Sequence, residues 1–444
     1  MVLADANYKS IWRISLPIIV GLVAQNLMVV IDTAFLGRLG EITLGASAIG
    51  GIFYLCLVML GSGFAVGTQI MIGRRNGQRK YRSIGRIVDH AVYFMLFLAA
   101  LVFLLLSFGA PQFLGWFLKS DAVLGESLVF LSYRRFGIFF GFLNLSFSAF
   151  YIGTTRTFIL SASTILMALV NIVLDYALIF GHFGFPQMGI AGAALATNIA
   201  EAVTFLFFVG WTWKKGYFQA FGLFRFWKPR WRLYRPLLRL AVPVMFQFFL
   251  SFAAWFVFFM IIEQISETAL AASNITRSFY MLLMIPVWGL SSATNTMVSN
   301  LIGQGKMDQV IPLIKKMLLI SVGCTLLVIQ ANLFFPAQIA GFFTDEAYLV
   351  EATVPLLYVV SFALIAFSVG MVVFSGLSGT GKTMVALRIE ILSILFYLGC
   401  AFTLAVGFGA PAPVVWFVEV VYFSLLGLFS YIYLRKGSWK LLNI

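Results

Sequence analysis

Residues 53–78, FYLCLVMLGSGFAVGTQIMIGRRNGQ, return 226 positions further along as residues 279–304, FYMLLMIPVWGLSSATNTMVSNLIGQ. Both stretches begin with Phe-Tyr and end with Gly-Gln, and they align without a gap. The same offset pairs Pro17 with Pro243. A chance match between apolar segments would not hold one register across most of each half. The chain therefore contains an internal duplication, and the duplicated unit decides the fold.

Hydrophobic residues make up 61% of the 444-residue chain, and charged residues only 10%. Soluble globular domains carry roughly 25% charged residues, so this composition excludes a soluble chain. A bilayer crossing needs ~20 apolar residues, and the chain holds twelve such stretches. The predicted spans lie near residues 11–36, 44–72, 85–107, 128–151, 158–180, 189–211, 237–262, 269–299, 311–335, 352–377, 384–407 and 413–433.

The net charge of +14 belongs mainly to one side of this topology. Twelve spans place both termini on the same side, and that side receives most of the Lys and Arg, including the clusters at 74–86 and 214–239. Basic loops stay in the cytoplasm. We therefore predict a multi-pass protein of the cell inner (plasma) membrane with both termini cytoplasmic. Its positive charge should contact anionic membrane lipid and not nucleic acid.

The repeat predicts a first six-helix lobe at 1–213, a basic cytoplasmic linker at 214–236 and a second six-helix lobe at 237–444. Six spans per copy give both copies the same orientation, so the expected fold is an all-α integral membrane protein with two pseudo-two-fold-related lobes. Two similar lobes leave a cleft that can open to either side. This arrangement favours a transporter over an enzyme, receptor or channel.

Two acids interrupt long apolar stretches of the first half, Asp32 and Asp175. An ionised carboxylate at mid-membrane costs at least ~2.5 kcal/mol and is retained where it lines a cavity or binds an ion. Asn171 lies one helical turn before Asp175, and an amide beside a carboxylate suits a proton or cation site. Interhelical packing is the alternative. Glu201, one turn after Thr197, is either a third titratable group or a neutral packing residue.

Further polar side chains are predicted to line a substrate cavity in the first half. Gln25 lies two helical turns before Asp32 on the same helix face. The remaining candidates are Asn144, Ser148 and Asn198. A proline inside the first span, Pro17, removes a backbone hydrogen bond and predicts a helix bend. Such a bend could link protonation to the shape of the cavity.

The second half lacks these acids, because the positions equivalent to Asp32 and Asp175 carry Phe and Ala. Glu263 and Glu390 lie near the ends of predicted spans, which favours contact with solvent or an ion pair. The depth of Glu419 stays open. Ion coupling is therefore expected in the first half and not in the second.

At these residues the chain resembles the multidrug and toxic compound extrusion (MATE) family, in its DinF-like branch. The resemblance is carried by Pro17, by DTAFLGRLG at 32–40, by NIVLD at 171–175 and by GIAGAALAT at 189–197. It implies two six-helix lobes and antiport of lipophilic, often cationic compounds. It further implies a first-lobe cation site formed by Asp32, Asp175, Gln25, Asn171 and Thr197, and a first helix that bends at the matched proline.

We therefore predict a secondary antiporter that exports lipophilic or cationic organic compounds, such as drugs and toxic metabolites, in exchange for H⁺ or Na⁺. The coupling ion, bound at Asp32 and Asp175, would be its only cofactor, no metal centre or enzymatic activity is expected, and the protein is expected to be a monomer. The alternative is a flippase for lipids or lipid-linked oligosaccharides. A flippase would favour a basic cavity that holds phosphate.

Overall fold

The structure is a computed structural model that describes residues 3–118 and 120–441. Within these residues no β-strand occurs, and twelve helices are long and apolar enough to cross a membrane. This confirms the predicted twelve-span fold. Numbered α1 to α12, the helices are Tyr8–Gly37, Glu41–Gly77, Tyr81–Phe117, Asp121–Gly153, Phe158–Phe180, Ile190–Lys214, Trp231–Glu263, Glu267–Gly303, Met307–Phe334, Ala347–Gly379, Thr383–Gly407 and Ala412–Lys436.

Local capping fixes the starts of two of these helices. The Ser120 side chain accepts a hydrogen bond from the Val123 amide at the start of α4 (3.4 Å). Ser266 does the same for Ala269 at the start of α8 (3.0 Å). Such caps satisfy amides that have no partner inside the helix. At the other end of α5, Gly181 adopts a left-handed φ of 77°, a conformation that stops a helix at little cost to glycine.

Helix packing repeats from one half to the other. In the first half α2 packs most extensively on α4, and in the second half α8 packs most extensively on α10. The pair α4 and α6 likewise corresponds to α10 and α12, and α5 with α6 to α11 with α12. Each pair is shifted by six helices, so the duplication found in the sequence is also a duplication of helix contacts.

The described chain divides into two compact units whose limits fall inside two helices. The first unit holds Val20–Met245, and the second holds Leu3–Ile19 with the chain from Phe246 onward. The chain passes from one unit to the other at two equivalent positions of the repeat. Each of these positions follows shortly after a proline, Pro17 in α1 and Pro243 in α7. The predicted boundaries were drawn from the sequence repeat, whereas the two units are defined by spatial contact. The predicted lobes at 1–213 and 237–444, with a linker at 214–236, stay a prediction.

The segment between α6 and α7 is fixed to α3 by two buried side chains. Asp89 accepts hydrogen bonds from the backbone amides of Phe224 (2.7 Å) and Trp227 (3.5 Å). The next residue, His90, accepts one from the Arg230 amide (3.1 Å). The segment contains a short helix, Tyr217–Phe221, and α7 begins inside the predicted linker. A stretch that the sequence describes as a basic linker is therefore anchored at several points.

Candidate ion-binding site

Two carboxyl groups meet between α1 and α5. Those of Asp32 and Asp175 lie within hydrogen-bonding reach of each other, although 143 residues separate them in sequence. Asp175 is 0% exposed. Both of its carboxyl oxygens and Oδ1 of Asp32 are buried without a hydrogen-bond donor. Since a carboxylate only accepts, a bond between the two groups requires a proton on one of them.

The amide predicted to accompany these acids is also buried. Asn171 is 0% exposed, and its Nδ2 donates to Oγ1 of Thr197 on α6 (3.3 Å). The Thr197 hydroxyl donates in turn to the Ala193 carbonyl (2.9 Å). The Asn171 Oδ1 atom is buried and has no donor. Carboxylate, amide and hydroxyl oxygens thus border one buried region, and such oxygens can accept a proton or ligate a hard cation.

Glu201 has a charge partner that the sequence did not predict. Its Oε1 atom lies 2.9 Å from Nη2 of Arg134 on α4, and the two side chains are 14% and 8% exposed. Its second oxygen, Oε2, is buried without a donor. A buried ion pair is retained only where its geometry and hydrogen bonds offset the cost of removing both charges from water. Glu201 is thus part of an ion pair between α4 and α6, and its predicted role as a third titratable group stays a prediction.

Two asparagines complete the contact between α4 and α6. Asn198 accepts from Nη1 of Arg134 (2.6 Å) and donates to the Tyr133 carbonyl (2.7 Å). Asn144 donates to the backbone carbonyl of Glu201 (2.9 Å). Gly137 makes this approach possible, because a Cβ at that position would collide with the Asn198 side chain. Both asparagines thus form hydrogen bonds within the chain. Their predicted role in lining a substrate cavity stays a prediction.

Arg134 connects the two groups of acids electrostatically. Besides Glu201 it interacts with Asp32, and its guanidinium lies 4.3 Å from the centre of the Tyr54 ring. The Tyr54 hydroxyl is itself buried without a partner. The positive charge of Arg134 is therefore shared between a tight pair with Glu201 and a more distant interaction with Asp32. A change in the charge of Asp32 would change the field at this pair.

The remaining predicted residues lie at the margin of this cluster or outside it. Gln25 is exposed, and Ser148 is half-buried on α4. Pro17 lies inside α1, well before Asp32 along the helix. The residues that the structure brings together are Asp32, Asp175, Asn171, Thr197, Glu201, Asn144 and Asn198. No hydrogen bond or ion pair between described residues joins Gln25, Ser148 or Pro17 to them.

Arg134 is the residue of this cluster that the sequence analysis missed. A signal was present, because Arg134 and Arg135 lie inside the predicted span at 128–151. A basic residue at that depth faces the bundle interior and pairs with an acid or a carbonyl. The same reasoning that selected the aspartates would therefore have selected Arg134.

The second half contradicts one expectation. Glu390 is only 3% exposed, and it accepts hydrogen bonds from the hydroxyls of Ser251 and Tyr422. The expected solvent contact or ion pair is therefore wrong, because α7 and α12 cover this face of α11. Glu419 is equally buried, and its depth in the membrane stays open. Glu263 is exposed, as expected.

Twelve helices in two parallel repeats, with ionisable side chains held inside the first bundle, define the class of protein. It is a polytopic membrane transporter and not an enzyme. More particularly, the chain belongs to the MatE family, whose sequence profile matches residues 17–177 and 243–410, one match in each half.

Individual relatives agree with this assignment. The chain is 28% identical over 369 residues to a probable multidrug resistance protein NorM of Agrobacterium fabrum, covering 81% of this chain and 77% of that protein. It is 27% identical over 432 residues to a NorM protein of Rhizobium meliloti, covering 93% and 91%. A MOP superfamily transporter of Pyrococcus furiosus has a similar fold, with a TM-score of 0.89 at 21% identity, covering 97% and 96% of the two chains. The DinF-like branch stays a prediction.

Proposed function

We propose that this protein is a secondary antiporter that exports lipophilic or cationic organic compounds in exchange for H⁺ or Na⁺, with Asp32 and Asp175 as its ion-binding pair. The observation that carries the proposal is the meeting of these two carboxyl groups at a buried position where three of their oxygens have no donor. Two carboxylates so close repel each other unless a cation lies between them. Ion uptake is therefore favourable there.

The relatives support the exported class of compound. The proteins of Agrobacterium fabrum and Rhizobium meliloti are described as probable multidrug resistance proteins, and a protein of Pseudomonas aeruginosa, 26% identical over 311 residues, as a multidrug resistance protein. A cationic substrate would be attracted to the same carboxylates that bind the coupling ion. The coupling ion and the cationic substrate would then compete for the same carboxylates. Because each is released when the other binds, this competition is sufficient for exchange.

The charges near this pair argue against a lipid or lipid-linked oligosaccharide flippase. Holding a phosphate would need a basic group free to bind it. The arginine of this cluster, Arg134, already pairs with Glu201 and is bonded to Asn198. Its charge is compensated, so the net charge of the region including Asp32 and Asp175 favours a cation over an anion.

The orientation and the working form belong to the same proposal. The basic clusters at 74–86 and 214–239 support cytoplasmic termini in an inner membrane. With that orientation an inward ion gradient drives export. We propose a monomer as the working unit, because the proposed ion pair and its neighbours all come from the first unit of a single chain.

The test is dye efflux in everted vesicles under an imposed pH gradient or an imposed Na⁺ gradient, applied separately. Asp32→Asn and Asp175→Asn preserve the shape of each side chain and remove its charge. Each variant should express normally and lose gradient-driven efflux. The gradient that drives efflux in the unmodified protein identifies the coupling ion.

The matched control is Glu263→Gln, which removes an exposed acid at the end of α7. It should transport like the unmodified protein, because its carboxylate is not held inside the bundle. Full gradient-driven activity in both aspartate variants would reject the proposal. Equal loss in the Glu263 variant would show that any removed acid impairs the protein, and the pair would then have no special role.

A further inference from the structure

The second unit buries two glutamates of its own, on neighbouring helices. Glu390 on α11 and Glu419 on α12 are each 3% exposed. Among the described residues neither lies within ion-pair distance of a Lys or Arg. The nearby Arg388 is exposed, and Arg277 lies against the rings of Trp255 and Phe259. Both glutamates are therefore buried without a compensating positive charge.

Hydroxyl groups take the place of a cation. Glu390 Oε1 accepts from Ser251 (2.6 Å) and from Tyr422 (2.6 Å). Glu419 Oε1 accepts from Tyr397 (2.7 Å). The rings of Tyr397 and Tyr422 lie 5.2 Å apart, so the two acids belong to one cluster. Hydroxyl donors can stabilise an ionised carboxylate but do not neutralise it, and each glutamate can therefore exist in a protonated or an ionised form.

A third tyrosine points to a missing hydrogen-bond partner in this cluster. Tyr280 on α8 is 0% exposed, and its hydroxyl has no partner. It interacts electrostatically with Glu419. A buried hydroxyl is normally hydrogen-bonded. An unpartnered hydroxyl beside a buried acid indicates a position where the hydrogen-bond arrangement changes when the acid gains or loses its proton.

The repeat places this tyrosine at a position equivalent to Tyr54, whose hydroxyl is also buried without a partner and adjoins the Arg134–Glu201 pair. The two halves thus place a buried acid near the same scaffold tyrosine. The two halves differ in the counter-charge beside the acid. The position equivalent to Arg134 is Val360, an apolar residue that is fully buried. The first-half acid has a permanent counter-charge, and the second-half acids have none.

Arg277 lies one helical turn before Tyr280 on α8, and its guanidinium contacts the rings of Trp255 and Phe259. Tyr280, Tyr397 and Tyr422 are the titratable groups that face them, from α8, α11 and α12. The helix α10, which packs along α12, has its acid Glu351 exposed. The Tyr422 side chain is partly exposed.

We propose that Glu390 and Glu419 form a second proton-binding site, which exchanges protons with solution and contributes to coupling in addition to Asp32 and Asp175. The coupling part rests on the antiport proposed above, whereas proton exchange does not. Each glutamate takes up one proton and becomes neutral, and its tyrosine changes from hydrogen-bond donor to acceptor. Sequence comparison of the two halves hides this site, because its acids occupy positions with no acid in the first half.

The test measures protonation independently of transport. Infrared difference spectra between low and high pH are recorded on the purified protein in liposomes, following the C=O stretching band of protonated carboxyl groups. The double variant Glu390→Gln/Glu419→Gln should lose a distinct part of this band. The double variant Asp32→Asn/Asp175→Asn should lose a different part, and the two losses should add. In efflux driven by a pH gradient, the glutamate double variant should fall at least tenfold.

Tyr397→Phe and Tyr422→Phe serve as matched variants, because they keep both rings and both acids. They should retain the band and move the pH at which it disappears, which a loss of folding would not do. An unchanged band in the glutamate double variant overturns the proposal, and so does a lost band with undiminished efflux. If the unmodified protein fails to transport, the antiport proposal fails, while the infrared result still decides whether these glutamates bind protons.

Discussion

Breaking the Arg134–Glu201 pair from one side should destabilise the protein more than replacing both of its members. The two atoms lie 2.9 Å apart, and the side chains are 8% and 14% exposed. Removing one member of such a buried pair costs about 3–5 kcal/mol, because the other charge is left uncompensated. Replacing both members with apolar side chains of similar size is often neutral. The stability of the double variant should therefore exceed that of the weaker single variant.

The structure also predicts which single variant is worse. After Glu201→Gln, the guanidinium keeps its bond to Asn198 (2.6 Å), its contact with Tyr54 (4.3 Å) and its interaction with Asp32. We expect a loss near the lower end, about 3 kcal/mol. After Arg134→Met, Glu201 loses the donor to Oε1 while Oε2 already has none. We expect a loss near the upper end, about 5 kcal/mol.

The assay is a double-mutant cycle on the free energy of unfolding, measured by reversible denaturation in bicelles for Arg134→Met, Glu201→Gln and the double variant. With single losses of about 5 and about 3 kcal/mol, the double variant is more stable than Arg134→Met only if the interaction energy exceeds about 3 kcal/mol, which is the upper end of the range for contacting residues. The control is the exposed pair Lys306–Asp5 (3.6 Å), for which the interaction energy should stay below about 1 kcal/mol. Additive losses at Arg134 and Glu201, within the error of the control cycle, would refute this reasoning.

Five further variants test other parts of the structure. Gly137→Ala should cost about 1–3 kcal/mol of stability by overpacking and should reduce efflux, because the new Cβ collides with Asn198. The control is Gly141→Ala, in which the nearest atom to the new Cβ, Oε2 of Glu201, lies 3.7 Å away. The control should be neutral or slightly stabilising in thermal unfolding. Asp89→Ala should cost about 1–3 kcal/mol of stability and should expose the segment between α6 and α7 to protease. Asp89→Asn should have an intermediate effect. Equal cleavage of the unmodified protein and both variants would show that Asp89 does not hold the segment. Ser266→Ala should cost about 1 kcal/mol through loss of the α8 cap, and an unchanged melting temperature would contradict the assigned cap.

The fold was largely predictable because the membrane imposes a length on every helix. Runs of ~20 apolar residues have one way to satisfy their backbone in hydrocarbon, so each predicted span became a helix. The first-half aspartates were predictable for a related reason, since an acid in an apolar stretch is costly and stands out in the sequence. Asn171 followed because one helical turn fixes its side relative to Asp175.

Partners across helices were not predictable from the sequence. Arg134 and Glu201 are 67 residues apart, and nothing in either span indicates which faces of α4 and α6 meet. Glu390 was misjudged because its position near the end of a predicted span suggested contact with solvent or an ion pair, while the covering residues come from α7 and α12. In each case long-range packing, and not local periodicity, decided whether a charge is compensated.

By itself the sequence determined how many helices cross the membrane, that they form two copies of one unit, and that two aspartates lie among apolar residues. Those properties follow from local hydrophobicity and register, which act along the chain. Only the tertiary structure decided that Asp32 meets Asp175, that Arg134 neutralises Glu201, and that Glu390 and Glu419 remain buried without a cation. Those properties depend on distances between helices, because electrostatic and hydrogen-bond energies fall steeply over a few ångströms and no one-dimensional pattern encodes them.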